Sequence, residues 1–187
     1  MIRKNIAQFV LIAALSAASL PALAQSPICA PGVDYASQGR QLYNSGQLEE
    51  AKQNFECALA SDSENARLHL AYGMVVCAMG RPDEAAEHYA RAIELDPEYA
   101  MAYNNLGWAN YRLGNLDVAL ESLNTAITLD PNLAYAYNNR GLVMQERGLL
   151  AEAISDFEQA IALGLKQPWA EINLYNARYE QQMLAAR

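Results

Sequence analysis

Residues 102–120 read "AYNNLGWANYRLGNLDVAL", and 34 positions further on residues 136–154 read "AYNNRGLVMQERGLLAEAI". The echo extends in both directions. Gly39, Gly73, Gly107 and Gly141 form a column at a spacing of 34, and so do Gly46, Gly80, Gly114 and Gly148. Two alanine columns keep the same phase: Ala51, Ala85, Ala119 and Ala153, then Ala58, Ala92, Ala126 and Ala160. Four columns held through four copies without an insertion divide the chain into units 32–65, 66–99, 100–133 and 134–167.

Each unit holds two apolar-periodic stretches of about a dozen residues, which predicts two helices. In the third unit these span 102–113 and 116–129. Gly114 falls where the first helix must stop, at the position where a left-handed cap favours glycine. Glu49–Glu50, Asp83–Glu84 and Asp117 put negative charge into the first turn of each second helix, as the macrodipole favours. Asp96-Pro97 and Asp130-Pro131 end it, because proline disfavours helix in the residue before it. The first glycine column lies inside a helix, where glycine costs about 1 kcal/mol against alanine. Four such glycines need a steric cause: the two helices of a unit cross too closely for a Cβ. The alanine columns supply the matching small surface. Large residues fill the remaining space, with Tyr35, His69, Tyr103 and Tyr137 in one column and Phe55, Tyr89, Leu123 and Phe157 in another.

With these columns in place the unit resembles the tetratricopeptide repeat, a 34-residue helical hairpin. The third unit carries the pattern as Tyr103, Leu106-Gly107, Ala119, Leu123, Ala126 and Pro131. Asn110 departs from it at a usual tyrosine position, and Ser63 and Leu165 depart at the proline position. The resemblance implies an all-α, right-handed solenoid of four hairpins. Residues 168–187 continue in phase, except that Tyr175 stands where the glycine column would place its next member. A last helix without a second-helix partner tolerates a large residue there, so 169–186 reads as a solvating capping helix.

The other end reads differently. "MIRKNIAQFVLIAALSAASLPALAQ" places Arg3 and Lys4 before an apolar run and ends in Ala22-Leu23-Ala24. This is the layout of a secretory signal peptide, 1–24, cleaved after Ala24. The run is too short and too polar for a stable membrane span. Residues 25–31 would then form a short N-terminal arm, and the expected location is the periplasm.

Composition excludes several functions. Apolar residues make up 52% of the chain, which argues against disorder. The 21 acidic residues outnumber 13 basic ones, so no nucleic-acid footprint is expected. His69 and His88 are the only histidines, and no phosphate loop, HExxH or nucleophile elbow occurs. No catalytic residue, metal or cofactor is expected. The three cysteines lack C-x-x-C spacing, so a metal or redox pair is not expected. An oxidising compartment permits a disulfide. Cys29 precedes the first helix and Cys57 lies near the end of the second, where antiparallel geometry brings the two together. The expected pair is Cys29–Cys57, with Cys77 free.

The resemblance also implies a groove along the first helix of each unit. Its candidate lining is Met74, Met101, Asn104, Asn105, Trp108, Arg112, Tyr135, Asn138, Asn139 and Asn173. Asn105, Asn139 and Asn173 form a column of amides, each able to donate to and accept from an extended peptide backbone. The column is similar to the asparagine ladder in the repeat superhelix of O-GlcNAc transferases, although these amides could equally bond a neighbouring helix. The clamp that holds acidic C-terminal peptides of cytosolic chaperones is absent: its positions carry Ala36, Arg40, Ala71, Met101 and Asn105. The expected function is a non-enzymatic scaffold that binds a protein or extended peptide in the bacterial envelope. The alternatives are a self-associating assembly subunit and a holdase for exported unfolded chains.

Overall fold

The computed structural model describes residues 29–186. The expected signal sequence lies outside them. Nine α-helices follow one another, with no strand among the described residues. They are α1 (Tyr35–Asn44), α2 (Leu48–Ser61), α3 (Ala66–Ala78), α4 (Pro82–Leu95), α5 (Ala100–Arg112), α6 (Leu116–Leu129), α7 (Ala134–Glu146), α8 (Leu150–Ala162) and α9 (Pro168–Ala185). The first helix of the third unit begins at Ala100, two residues before the expected start.

Sequential helices pack as antiparallel neighbours. Odd-numbered helices also touch the next odd-numbered helix, whereas no even-numbered helix touches another. The layer of odd helices is therefore the tighter one, and the stack curves with that layer on its inner face. All-α stacking in repeating hairpins, each contacting its neighbours, makes this a helical repeat fold.

The glycine column has the cause the sequence suggested. A Cβ on Gly73 would lie 2.6 Å from Tyr89, on Gly107 2.6 Å from Leu123, and on Gly141 2.6 Å from Phe157; at Gly39 the nearest Phe55 atom is at 2.9 Å. Ala51, Ala85, Ala119 and Ala153, each 0% exposed, complete the seam. At the other glycine column, Gly114 takes φ 78°. Its N–H donates to Tyr111 O, and the N–H of Asn115 donates to Asn110 O, which closes α5 as a Schellman motif.

Asn110, the departure from the repeat pattern, tightens this turn. It is buried; its Nδ2 donates to Leu106 O and its Oδ1 accepts from Asn115. Leu165 is buried as well, and its N–H closes α8 on Ala160 O without a proline. Arg140 of α7 grips Asp156 of α8 with two hydrogen bonds of 2.8 Å and donates a third to Asn124 of α6. That fork ties three consecutive helices together.

The disulfide joins Cys29 to Cys57 and leaves Cys77 free and buried. It pins the residues before α1 onto α2. The final helix packs on the stack through Ala170 and Ala177, and its outer face carries exposed polar residues, Glu171, Asn176, Arg178 and Glu180 among them, beside an apolar stripe. Ile172, Tyr175, Tyr179 and Met183 follow one another at helical spacing and are all exposed, with the rings of Tyr175 and Tyr179 stacked at 6.3 Å.

Candidate groove on the odd-numbered helices

The inner layer carries the candidate site. α3, α5, α7 and α9 together enclose a hollow of about 680 Å³, lined by Met74, Met101, Asn104, Asn105, Trp108, Tyr135, Asn138, Asn139, Leu142, Trp169 and Asn173. Nine of the ten residues proposed from sequence lie in this lining. The tenth, Arg112, lies in an adjoining hollow with Asn105 and Trp108, its guanidinium 5.8 Å from the Trp108 ring centre. Aromatic side chains stand at both ends of the main hollow. Trp108 packs beside Tyr111 at 5.5 Å, and Tyr135 faces Trp169 at 6.4 Å. Tyr135 and Trp169 remain 41% and 39% exposed, so they keep open apolar surface for a ligand.

The paired asparagines have two different tasks. Asn104 and Asn138 are buried, 3% and 2% exposed, and are not open to a ligand. Each receives an amide from the following unit: Asn139 Nδ2 donates to Asn104 Oδ1 at 3.0 Å, and Asn173 Nδ2 to Asn138 Oδ1 at 3.1 Å. Within each pair, Asn104 Nδ2 donates to Asn105 Oδ1 at 2.9 Å and Asn138 Nδ2 to Asn139 Oδ1 at 3.5 Å. The result is a relay that stitches α9 to α7 and α7 to α5. The column therefore holds helices together, and Asn104 and Asn138 act as buried supports. What stays open is the Nδ2 group of Asn105, the Oδ1 of Asn173 and the second Nδ2 proton of Asn139 and of Asn173.

Sequence reasoning missed this division of labour. The signal was present as an offset of 35, one repeat plus one residue, between Asn104 and Asn139 and between Asn138 and Asn173. It also missed the histidine pair. His69 Nδ1 and His88 Nδ1 lie 3.1 Å apart, the other nitrogen of His69 bonds Ser63 O, and the His88 ring lies 4.2 Å from Tyr72. Burial, and then the charge of His69, push the His88 pKa down. Both histidines lie outside the groove lining. No group of three His, Cys, Asp or Glu among the described residues could hold a metal. Cys77 touches the groove edge, but burial pushes its thiol pKa up, which opposes thiolate chemistry.

With this geometry in place, family models described as tetratricopeptide repeat match residues 77–134 and 133–165. The chain carries tetratricopeptide repeats. No curated protein sequence matches it. Solved tetratricopeptide-repeat structures do. Pseudomonas aeruginosa pilF is 28% identical, over 80% of this chain and 68% of that one, with a TM-score of 0.71. YrrB, described as a tetratricopeptide-repeat protein with an unusual peptide-binding site, is 26% identical over 78% and 73%, with a TM-score of 0.64. The first such domain of Spaghetti (RPAP3), solved with an HSP90 peptide, is 28% identical over 66% and 96%, with a TM-score of 0.59.

Proposed function

We propose that this chain is a non-enzymatic interaction module that holds an extended segment of a partner protein along its odd-numbered helices. The observation that carries this reading is the hollow of about 680 Å³, in which Met74, Met101, Trp108, Tyr135 and Trp169 surround amides with unused donors and acceptors. Apolar anchors with a few placed polar groups are the make-up of a binding site. Neighbouring repeat structures solved with peptides or described by their peptide sites support it. The leader read at 1–24 and the Cys29–Cys57 bridge suit an oxidising compartment, and we assign the chain to the periplasm.

The test is to pan displayed twelve-residue peptides against the chain and measure the selected binders by calorimetry. Binding should weaken at least tenfold in Trp108→Ala or Tyr135→Ala. Failure to select any binder, or binders indifferent to both changes, would overturn the reading. One observation favours a second reading, self-association: the exposed stripe of Ile172, Tyr175, Tyr179 and Met183 on α9. A second copy could meet it face to face. A sedimentation coefficient that rises with concentration, and that falls to a constant monomer value in Tyr175→Glu, is its signature.

A further inference from the structure

Met74 lines the main hollow and two neighbouring ones, of about 300 and 230 Å³, so the three form one continuous trough along the odd helices. Its N-terminal part is lined by Arg40 and Arg67, with Tyr43, Leu70 and Tyr99, and its middle by Arg112. None of the chain's 21 Asp and Glu residues lines any part of it. The charge of Asp34 reaches Arg40 and that of Asp96 reaches Tyr99, both from outside the lining. Elsewhere carboxylates are plentiful, as on the outer face of α6, where Asp117 and Glu121 line a shallow depression.

The cations are sorted the same way. Six of the ten Lys and Arg among the described residues are ion-paired with carboxylates. Of the remaining four, Arg40, Arg67 and Arg112 are the three that line the trough. Arg40 donates only to Ser37 Oγ, and Arg112 rests over Trp108. In a chain of net charge −8, three arginines held in one concave surface with no carboxylate in an ion pair leave a positive stripe on an acidic protein, and the one carboxylate whose charge reaches them, Asp34 beside Arg40, is fully exposed to solvent. Such a surface attracts an anionic segment while the rest of the molecule repels it.

We infer that the trough takes an extended protein segment bearing at least two acidic side chains, one at Arg40 and Arg67 and one at Arg112, followed by apolar side chains over Trp108, Tyr135 and Trp169. This rests on the groove reading above and names its partner chemistry. Side-chain carboxylates are required because the cations occupy two separate places and a chain terminus supplies one. Arg67 and Arg112 also stand outside the positions of the chaperone-peptide clamp. Four steps of about 9 Å lead from α1 to α9, or roughly 36 Å. At about 3.3 Å per residue this is a segment of about eleven residues.

The experiment titrates the full chain with three twelve-residue peptides in both chain directions, the first two blocked at both ends. One carries two Glu and three apolar residues in this order. The second has Gln for each Glu. The third is the Gln peptide with a free C-terminal carboxylate. The Glu peptide should bind at least tenfold tighter than the Gln peptide at low salt, and the gap should shrink as salt rises. Arg40→Gln, Arg67→Gln and Arg112→Gln should each weaken the Glu peptide about threefold, as expected for exposed charge pairs, and together about thirtyfold. The triple variant should lose several times less affinity for the Gln peptide than for the Glu peptide, and an equal loss for both would overturn the charge assignment. Glu and Gln peptides that bind alike, both lost in Trp108→Ala, would overturn the charge assignment and leave the groove standing. Glu-peptide binding that depends on the arginines but ignores Trp108→Ala and Tyr135→Ala would support the cationic site and overturn the groove. A free-carboxylate peptide equal to the Glu peptide would assign the site to a terminus and overturn the two-side-chain form. No binding by any peptide overturns both.

Discussion

Gly141→Ala is expected to destabilise the protein, although alanine is the better helix former. The added Cβ would stand 2.6 Å from Phe157 Cε1 and 2.8 Å from Cδ1. Phe157 is 0% exposed, so its ring has no open space to swing into. Overpacking a core costs about 1–3 kcal/mol. Helix propensity returns about 1 kcal/mol. The net is a loss of about 1 kcal/mol. Phe157→Ala alone removes the ring and costs about 3–5 kcal/mol. In that background nothing opposes the methyl, and Gly141→Ala should stabilise by about 1 kcal/mol. The sign reversal is a coupling of about 2 kcal/mol, well above the scatter of independent sites. Urea titrations of the parent, both single variants and the double variant, followed by circular dichroism, measure it. Gly114→Ala is the control, since its φ of 78° penalises alanine with nothing within 4 Å of the new Cβ, and Phe157→Ala should not alter that penalty. If Gly141→Ala shifts both backgrounds equally, or stabilises the parent, steric contact is not why the column is glycine.

Three further outcomes follow from other contacts. Cys29→Ser opens a loop spanning 28 positions and should remove about 3–4 kcal/mol of stability; hydrogen exchange should show the loss in α1 and α2 and not in α7–α9. Asn138→Ala leaves Asn173 without its acceptor and Asn139 without its donor, and should cost about 1–2 kcal/mol in thermal or urea unfolding. His88 has a depressed folded pKa, so the unfolded chain binds its proton first: stability is fully present above pH 6.5 and falls as pH drops below it, by at most about 1.4 kcal/mol per pH unit. His88→Gln should flatten that slope when melting is scanned from pH 7.5 to 5.

The parts of this fold that were legible in the sequence are those set by backbone and volume. A glycine inside a helix, repeated four times at one spacing, has few explanations, and Phe55, Tyr89, Leu123 and Phe157 are the side chains that require it. Hairpin geometry likewise brought Cys29 to Cys57. Polar partners were not legible. A side-chain amide bonds a ligand or a helix equally well, and only the offset between α5, α7 and α9 decides that Asn104 and Asn138 are buried receptors. The same holds for charge. Arg140 and Arg112 look alike in sequence, yet one is forked onto Asp156 and the other lies over an indole. Tyr175 was read as a residue freed from a steric demand; its neighbours Ile172, Tyr179 and Met183 make it part of an exposed stripe.

The chain's two tryptophans, Trp108 and Trp169, both line the main hollow, so its tryptophan fluorescence reports that surface alone. Acrylamide quenching, measured with and without a saturating peptide from the panning experiment, therefore tests the binding groove directly. An extended segment seated over α5 and α9 should shield both indoles and lower the quenching constant at least twofold. A quenching constant unchanged at saturation would place the bound peptide elsewhere and contradict the groove as the functional surface.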